Sequence, residues 1–300
     1  MKQVISNEIK VIVGPTSSGK TSLAIKIAKE QGNTSIVSAD SRQIYKHMDI
    51  GTGKVPVDAS YPWEKKADKY VLNGIDVWGY DLALPDEPFT AVDYAKYALT
   101  KMRELLNSGE RVLLVGGTGF YIDVVCKRIV LDLGEPDLEL RNTLEKQALK
   151  DLVKKLTSLN PEVTFSIDLK NKVRVVRAIE RELNNSNPPT LLPYLTNVNF
   201  EFLGLTFDRD ILYKRADLWL EQIWENGLID ETQKLLSMGF ENSRPLRGLI
   251  YKSVVSCLNG ELTEKEAKQR CKFDLHAYIR RQQTWFKRNN EIEWSGTNTL

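Results

Sequence analysis

The sequence predicts an α/β protein in which helices cover both faces of a mainly parallel β-sheet and a helical domain interrupts that core. Short apolar, β-branched runs alternate with amphipathic helical segments over residues 1–126, and a further strand follows residue 199. Such alternation is typical of parallel sheets, because crossover helices connect their strands. Residues 127–193 instead show helical periodicity without strands, which predicts the helical insertion.

The length supports this division. Three hundred residues is at the limit of one compact core, since single cores stop growing at about 250–300 residues. We expect residues 1–126 to form the first part of the core, 127–193 the insertion, and 194–300 the second part, ending in a basic helix. The polar, proline-containing stretch 184–193 (NNSNPPTLLP) is the predicted linker.

Local patterns predict the elements of the core. The predicted strands are 9–13, 34–38, 111–115 and 200–207. The first strand is followed by a glycine-rich turn and a helix whose apolar face comprises Leu23, Ala24, Ile27 and Ala28. A second helix begins at Thr90, where Asp93 completes a capping box, and ends near Ser108.

The insertion carries apolar side chains at helical spacing. One predicted face comprises Leu140, Leu144, Leu152 and Leu156. A second predicted face comprises Val173, Val176, Ile179 and Leu183. These two sets of apolar positions predict that the insertion is helical.

Composition excludes several kinds of chemistry. Lys and Arg number 42 against 40 Asp and Glu, a balance that neither requires nor excludes a nucleic-acid partner. Three distant cysteines, without CxxC spacing, do not form a zinc or disulfide pattern. Two histidines leave little scope for histidine-based metal or triad chemistry. Acid–base work therefore falls to carboxylates, hydroxyls, Lys and Arg.

The chain also lacks signals for membranes or secretion. No apolar run approaches the roughly 20 residues that span a bilayer. A phosphate-loop pattern begins at Gly14, which leaves no room ahead of it for a cleaved signal peptide. We expect a cytoplasmic monomer without a membrane partner.

That pattern is GxxxxGK[ST], placed between a predicted strand and a predicted helix. Its residues are Gly14, Pro15, Thr16, Ser17, Ser18, Gly19, Lys20 and Thr21. Glycines let the backbone N–H groups converge on phosphate oxygens, and the following helix adds its positive end. Lys20 would reach the outer phosphate and Thr21 would ligate magnesium. The core is therefore predicted to be P-loop NTPase-like, although a nucleotide kinase or an ATPase would show the same eight residues.

Further blocks make the sequence similar to a known family. They are 38–45 (SADSRQIY), 48–54 (MDIGTGK), 89–94 (FTAVDY), 115–121 (VGGTGFY) and 280–286 (RRQQTWF). With the phosphate loop, these blocks cover most of the chain in the order typical of the tRNA dimethylallyltransferases (tRNA isopentenyltransferases), which the sequence resembles.

The resemblance assigns roles to three residues that local chemistry leaves open. Asp40, at a strand end beside the loop, could hold magnesium through water, cap a helix or act as a base. The resemblance favours a base that accepts a proton from the exocyclic amine of adenine. Thr118 could be only a helix N-cap, but the resemblance places its hydroxyl near the oxygen between the prenyl carbon and the diphosphate. Arg215, otherwise a solvated helix residue, matches an arginine that holds the diphosphate.

The resemblance also implies contacts with the anticodon stem-loop of tRNA. From Lys265 to Arg288 there are eight basic and two acidic residues, with aromatic side chains among them, a combination that suits RNA. The implied tRNA-binding residues are Asp40, Ser41, Arg42, Gln43, Arg141, Val173, Arg174, Val175, Val176, Arg177, Arg280, Arg281, Gln282, Thr284, Trp285 and Lys287.

The chain departs from the family's pattern at several positions. Trp219 stands where a second arginine is common, one turn after Arg215. Ile250 precedes Tyr251 in place of glycine, and Leu275-His276 replaces a Thr-Arg pair. The segment before Asp81, which contains histidine in the family, reads Val-Trp-Gly-Tyr here.

The resemblance implies transfer of a dimethylallyl group from dimethylallyl diphosphate to the adenine on the 3′ side of the anticodon, with magnesium. Two alternatives remain at this level. A small-molecule or nucleotide kinase would share the phosphate loop, although we identify neither an adenosine pocket nor an arginine-rich lid. A non-catalytic RNA-binding relative would account for the departures from the family's pattern.

Overall fold

The structure, a computed structural model, describes residues 8–56, 60–131, 137–184 and 191–295. The chain divides into two compact units, one of residues 1–130 and 193–300 and the other of residues 131–192. Across the described ranges, no helix is both long and apolar enough to cross a bilayer.

The larger unit is built on one eight-stranded sheet. Its strands are β1 (Glu8–Val13), β2 (Thr34–Ser38), β3 (Trp63–Lys65), β4 (Tyr70–Leu72), β5 (Ile75–Trp78), β6 (Arg111–Gly116), β7 (Asn199–Leu205) and β8 (Glu293–Ser295). The spatial order is β3-β4-β5-β2-β6-β1-β7-β8. The strands from β5 to β8 in this order are parallel, whereas β3 and β4 pair antiparallel at one edge. The predicted α/β fold with a mainly parallel sheet is confirmed.

Eleven helices are assigned within the described residues. They are α1 (Lys20–Gln31), α2 (Ala91–Asn107), α3 (Gly119–Val125), α4 (Leu138–Glu145), α5 (Leu149–Leu159), α6 (Val163–Ser166), α7 (Lys172–Leu183), α8 (Arg209–Ile223), α9 (Ile229–Ser237), α10 (Leu249–Leu258) and α11 (Glu264–Phe286). A π-helical stretch with a kink at Asn226 and Gly227 joins α8 to α9.

The four predicted core strands are present, β7 ending two residues earlier than expected. Helix α2 begins as predicted: Thr90 Oγ1 accepts from the Asp93 amide at 3.2 Å, and Asp93 Oδ2 accepts from the Thr90 amide at 2.8 Å. The β3–β5 strands were not predicted, because each has only three or four residues and no alternating pattern.

The buried face of α1 includes Ile25, which was not predicted, and two of the four predicted residues are only partly buried. Ala24, Ile25 and Ala28 are buried against the sheet, while Leu23 and Ile27 are only partly buried. Because α1 packs on both β2 and β6, its buried side centres on Ala24 and Ile25 rather than on Ile27.

The smaller unit contains α4 to α7 around its own apolar cluster. Leu144, Leu152 and Leu156 are buried as predicted, with Leu140 partly buried. The predicted face of α7 is confirmed at Val176 and Ile179, which are buried, and wrong at Val173 and Leu183, which are 53% and 44% exposed. The buried face contains Val175, Val176, Ala178 and Ile179. Both sets of residues have helical spacing, and the observed set is the one buried because α7 packs against α4 and α5. The predicted linker 184–193 lies mostly outside the described residues.

Candidate active site

The phosphate loop connects β1 to α1, as predicted. Gly14 has φ 152°, and a Cβ there would lie 2.2 Å from the carbonyl oxygen of Leu205 on β7. Gly19 takes the left-handed conformation (φ 87°) immediately before the helix. Glycine is therefore required at both positions, once for close packing and once for the backbone turn that starts α1.

Lys20 opens α1 and faces a cavity. Its Nζ donates to the carbonyl oxygen of Pro15 at 2.7 Å. Burial lowers the pKa of Lys20 to about 8, and the nearby Asp40 carboxylate partly opposes this shift. An anion entering the cavity would compensate the desolvated ammonium group.

The cavity lies at the carboxyl ends of the parallel strands and has a volume of about 410 Å³. Its polar lining includes Thr16, Ser17, Gly19, Lys20, Thr21, Ser38, Asp40, Arg42, Gln43 and Arg215. Its apolar lining includes core residues Ala24, Ile36, Val77, Tyr80 and Val115. The loop and Asp40 thus face one space that packed side chains do not fill.

Asp40 follows the end of β2 and does not cap a helix. Its Oδ1 accepts from the backbone amide of Arg42 at 2.9 Å, within a turn. Burial raises the pKa of Asp40, although the Arg42 amide and the positive charges of Lys20 and Arg42 oppose this. The carboxylate is therefore more basic than that of an ordinary Asp.

Thr118 precedes α3 but its side chain does not cap that helix. Its hydroxyl accepts from the Ser41 amide at 2.9 Å and donates to Ser41 Oγ at 3.1 Å. Close packing here requires glycine, because a Cβ at Gly116 would lie 2.1 Å from the Ala39 carbonyl oxygen. Thr118 therefore joins the two strand ends next to Asp40.

Arg215 projects from α8 into the cavity. Its guanidinium lies over the ring of Phe207, 4.2 Å from the centroid. Within the ranges that the structure describes, no carboxylate forms an ion pair with Arg215. The side chain is thus ordered by stacking while its charge remains available to an anion.

Two family profiles match this chain. A family profile described as IPP transferase matches residues 43–289, and one described as isopentenyl transferase matches residues 7–67. The chain belongs to the IPP transferase family. A tRNA dimethylallyltransferase of Acetivibrio thermocellus is 36% identical over 96% of this chain and 91% of the relative. A tRNA dimethylallyltransferase 1 of Citrifermentans bemidjiense is 34% identical over 96% of this chain and 92% of the relative.

Solved structures agree with this assignment. The tRNA isopentenylpyrophosphate transferase of Bacillus halodurans is 31% identical, with a TM-score of 0.68 over 97% of this chain and 90% of that chain. A eukaryotic dimethylallyltransferase acting on tRNA has a TM-score of 0.75 at 21% identity, over 94% of this chain and 70% of that chain. At this lower identity the second likeness concerns the fold alone. The family resemblance noted in the sequence is confirmed.

Several of the residues that depart from the family's pattern line the cavity, whereas Ile250 and His276 do not. Trp219 and Leu275 line it together with Tyr278. His276 has its Nε2 2.8 Å from Asp217 Oδ1, and its ring stacks on Tyr213. Ile250 is buried in α10. The replacements thus make one wall of the cavity aromatic and apolar.

Two side chains of α11, Gln282 and Trp285, pack against the core, and Trp285 remains partly exposed. Gln282 is buried; its Oε1 accepts from the Thr16 amide at 2.9 Å and its Nε2 donates to the Gly117 carbonyl oxygen at 3.0 Å. Trp285 donates from Nε1 to Asp123 Oδ2 at 2.8 Å and packs on Gly119. Gln282 therefore supports the loops that follow β1 and β6, whereas Trp285 supports α3. Because its side chain is buried, the predicted tRNA contact of Gln282 is wrong. Their predicted neighbours Arg280, Arg281, Thr284 and Lys287 are exposed.

Gln282→Leu should therefore destabilise the phosphate loop rather than weaken RNA binding directly. It removes the partner of the partly buried Thr16 amide and of the buried Gly117 carbonyl, and the buried carbonyl alone should lose about 1–3 kcal/mol of unfolding free energy. Thermal or urea unfolding measures this loss. The exposed neighbour serves as the control: Arg281→Leu should leave stability unchanged. Equal stability of the two variants would contradict the role assigned to Gln282.

Some of the other predicted RNA-contacting residues are exposed, and others are buried or held by hydrogen bonds within the protein. Gln43 is held at the site by accepting from Ser38 Oγ at 2.8 Å, while Arg42 donates to the Pro245 carbonyl oxygen. In the smaller unit, Val175 and Val176 are buried in the apolar core. The prediction that their side chains contact RNA is therefore wrong.

Val173, Arg174 and Arg177 in that unit are exposed. Arg141 is half-buried and forms an ion pair with Glu180, its Nη2 lying 2.8 Å from Oε2. Sequence spacing predicted the helix but could not distinguish its buried from its exposed residues.

The donor set suits a metal ion that is shared with a phosphate ligand. Across the described residues, no cluster of three or more His, Cys, Asp or Glu side chains could hold an ion alone. The phosphate cradle contains Thr21, which lines the cavity, and the buried Ser18 hydroxyl, which lacks a hydrogen-bond partner. Hard oxygen donors of this kind fit magnesium, which is commonly bound through few protein ligands plus substrate phosphates.

Several residues at the site were not assigned from the sequence. Glu231 and Tyr251 hold the backbone of segment 49–51, and Lys54 is buried between Asp49 and Asp81. The MDIGTGK block was the available signal for this segment. Its partners lie about 180 residues further along the chain, where no local pattern indicates them.

Proposed function

We propose that this chain transfers a dimethylallyl group from dimethylallyl diphosphate to the exocyclic amine of the adenine 3′ of the anticodon in tRNA. The observation that carries the proposal is that Asp40 and the phosphate loop line one open cavity. A base and an anion cradle then lie on either side of a space for the reacting groups. The curated relatives, named tRNA dimethylallyltransferase, support transfer of a dimethylallyl group to tRNA.

The fold supports a P-loop NTPase-like core for this reaction. The loop follows β1, which lies between β6 and β7, and Asp40 follows β2 on the far side of β6. The compact unit of residues 131–192 is the proposed insertion domain that binds the anticodon stem. Its exposed Val173, Arg174 and Arg177 remain candidate contacts, as do Arg280, Arg281, Thr284 and Lys287 on α11.

The diphosphate would be bound by loop amides, Lys20 and Arg215. The planar guanidinium can hold two phosphate oxygens at once, and the ammonium group acts as a point charge. Thr21 would hold magnesium jointly with diphosphate oxygens, and the ion would supply neutralisation of charge on the leaving group. The aromatic and apolar wall around Trp219 and Leu275 suits the prenyl chain.

The adenine must leave the base stack to enter this cavity. Unstacking costs a few kcal/mol and is easiest in a loop. Asp40 would accept the proton of the exocyclic amine as a nitrogen–carbon bond forms and the carbon–oxygen bond to the diphosphate breaks. Pyrophosphate departs with the electron pair. The Thr118 hydroxyl, which bonds to Ser41 in the structure, would donate to the departing oxygen.

This role of Asp40 predicts a specific pH dependence. Only the carboxylate form acts as a base, and burial raises the pKa of Asp40. The rate of transfer should therefore fall as pH decreases, through an apparent pKa above that of an ordinary Asp. A pH profile of kcat/KM for tRNA measures this, with unfolding monitored in parallel. If kcat/KM instead falls with an apparent pKa equal to that of an ordinary Asp, or does not fall until below that pKa, the assignment of Asp40 as a base with a raised pKa would be contradicted.

The function is tested by offering labelled dimethylallyl diphosphate, ATP and unmodified tRNA in separate combinations. We expect label on tRNA with the prenyl donor alone, without ATP. Phosphate transfer from ATP to a small acceptor would instead indicate a kinase. Binding of tRNA without transfer of label would indicate a non-catalytic relative.

A further inference from the structure

Three consecutive backbone amides converge on one carboxylate beside the cavity. Glu231 on α9 accepts from the amides of Asp49 and Ile50, both at 2.7 Å through Oε2, and from Gly51 at 3.0 Å through Oε1. Successive N–H groups that converge in this way form an anion-binding concavity. Here a side chain distant in sequence occupies the concavity, so the carboxylate fixes the conformation of segment 49–51.

Tyr251 completes the arrangement. Its hydroxyl donates to Glu231 Oε1 at 2.6 Å, and the residue is only 2% exposed. Its ring packs directly on Gly51, because a Cβ built there would lie 2.5 Å from Tyr251 Cζ. No larger residue than glycine fits at position 51 without displacing the ring or the backbone.

The opposite end of this segment is held equally firmly. The buried ammonium group of Lys54 donates to the Tyr45 carbonyl oxygen at 2.6 Å and to Asp49 Oδ1 at 2.7 Å. Gln43 Nε2 donates to the carbonyl oxygens of Thr52 and Gly53 at 3.3 and 3.2 Å. The backbone amide of Gln43 also donates to the Asp40 carbonyl oxygen. The segment is therefore connected to the backbone of the proposed base.

The same segment forms a wall of the cavity through Gly51, Thr52 and Gly53. A Cβ at Gly53 would lie 3.5 Å from the indole of Trp219, so this wall adjoins the aromatic side of the cavity. The wall consists largely of backbone and cannot adjust by changing rotamers. Its position depends on the hydrogen bonds at its two ends.

We propose that Glu231 is a positioning residue that, with Tyr251, fixes the 51–53 wall and thereby aligns the prenyl donor with Asp40. This inference rests on the proposed transferase function. A change at a site far from the reacting atoms can lower a rate by about 10²-fold if it misplaces the substrate by about 1 Å. Loosening the wall should therefore affect catalysis and donor binding much more than RNA affinity, which depends on exposed basic residues.

Glu231→Gln tests the proposal with little change in size. Its side-chain NH₂ cannot accept from an amide, so at least one of the three amides loses its acceptor. We expect a higher KM for dimethylallyl diphosphate and a lower kcat, together reducing kcat/KM by about 10- to 100-fold. The Kd for the anticodon stem-loop should remain within about twofold, because that affinity rests on phosphate contacts. Glu225→Gln, at an exposed position before α9, is the matched control and should behave as wild type.

A second variant tests whether the position of the 51–53 wall, rather than the overall stability of the protein, determines the kinetic effect. Gly51→Ala leaves Glu231 intact but brings a methyl group against Tyr251, and we expect the same kinetic pattern from it. Rates are compared per folded enzyme, from melting curves at the assay temperature. Wild-type kcat and KM in folded Glu231→Gln or in folded Gly51→Ala would overturn the proposal, as would a rate loss that disappears after correction for the folded fraction.

The proposed function can fail separately. Wild-type enzyme that binds dimethylallyl diphosphate in calorimetry but transfers no label to tRNA would contradict the transferase function. The positioning role would then be judged from donor binding alone, where Glu231→Gln should weaken affinity and an unchanged Kd would overturn it.

Discussion

Replacing Asp40 with Asn should lower the rate of the chemical step by about 10²–10⁴-fold, the usual contribution of a general base. The amide has nearly the same shape, and its oxygen can still accept from the Arg42 amide, so the turn should persist. It cannot accept the proton of the attacking amine at neutral pH. Single-turnover transfer from dimethylallyl diphosphate to tRNA measures the step directly.

Binding distinguishes a catalytic Asp40 from a structural one. The Kd of Asp40→Asn for the anticodon stem-loop should stay close to that of wild type, and Asp40→Ala should behave similarly in both measurements. Asp86→Asn, at an exposed position outside the cavity lining, is the control and should transfer at the wild-type rate. Equal losses of transfer and of RNA affinity in Asp40→Asn would point to a structural role.

Replacing Lys20 with Met or Ala should weaken binding of dimethylallyl diphosphate by about 10- to 150-fold, the range for a lost hydrogen bond to a charged group. Desolvation lowers the pKa of Lys20 to about 8, so a bound diphosphate would relieve the cost of its charged form. Methionine keeps the unbranched apolar chain and removes only the ammonium group. Calorimetry with the donor in the absence of RNA gives the affinity.

The affinity for the anticodon stem-loop should be largely retained in Lys20→Met, because the side chain faces the diphosphate end of the cavity. Lys29→Met on the exposed side of α1 is the matched control and should bind the donor normally. A Lys20→Met variant with wild-type donor affinity would exclude Lys20 from the site.

Features encoded by neighbouring residues could be predicted from the sequence. The phosphate loop, the capping box at Thr90 and the positions of Asp40 and Thr118 at strand ends each depend on a short segment. Because the carboxyl ends of parallel strands meet at one edge of a sheet, a strand prediction is enough to bring these side chains together. Arg215 needed the family resemblance, since a helix arginine without a local partner is ordinarily a surface residue.

Features decided by packing between distant segments could not be predicted. Gln282 and Arg281 are neighbours in a basic helix, yet one is buried under the phosphate loop 266 residues away and the other is exposed. Val173 and Val175 show the same ambiguity, because both fit helical spacing and it is packing against α4 and α5 that buries the second. Glu231 had no local signal, since its partners are backbone amides of another segment.

The central claim is that an exocyclic amine in the cavity attacks a prenyl carbon whose diphosphate lies on the phosphate loop. Its most direct test is single-turnover transfer to two anticodon stem-loops that differ only at the nucleotide 3′ of the anticodon, adenine in one and unsubstituted purine in the other. Both should bind with similar Kd, and only the adenine stem-loop should acquire label. Equal labelling of both stem-loops, or none of either despite binding, would contradict the account.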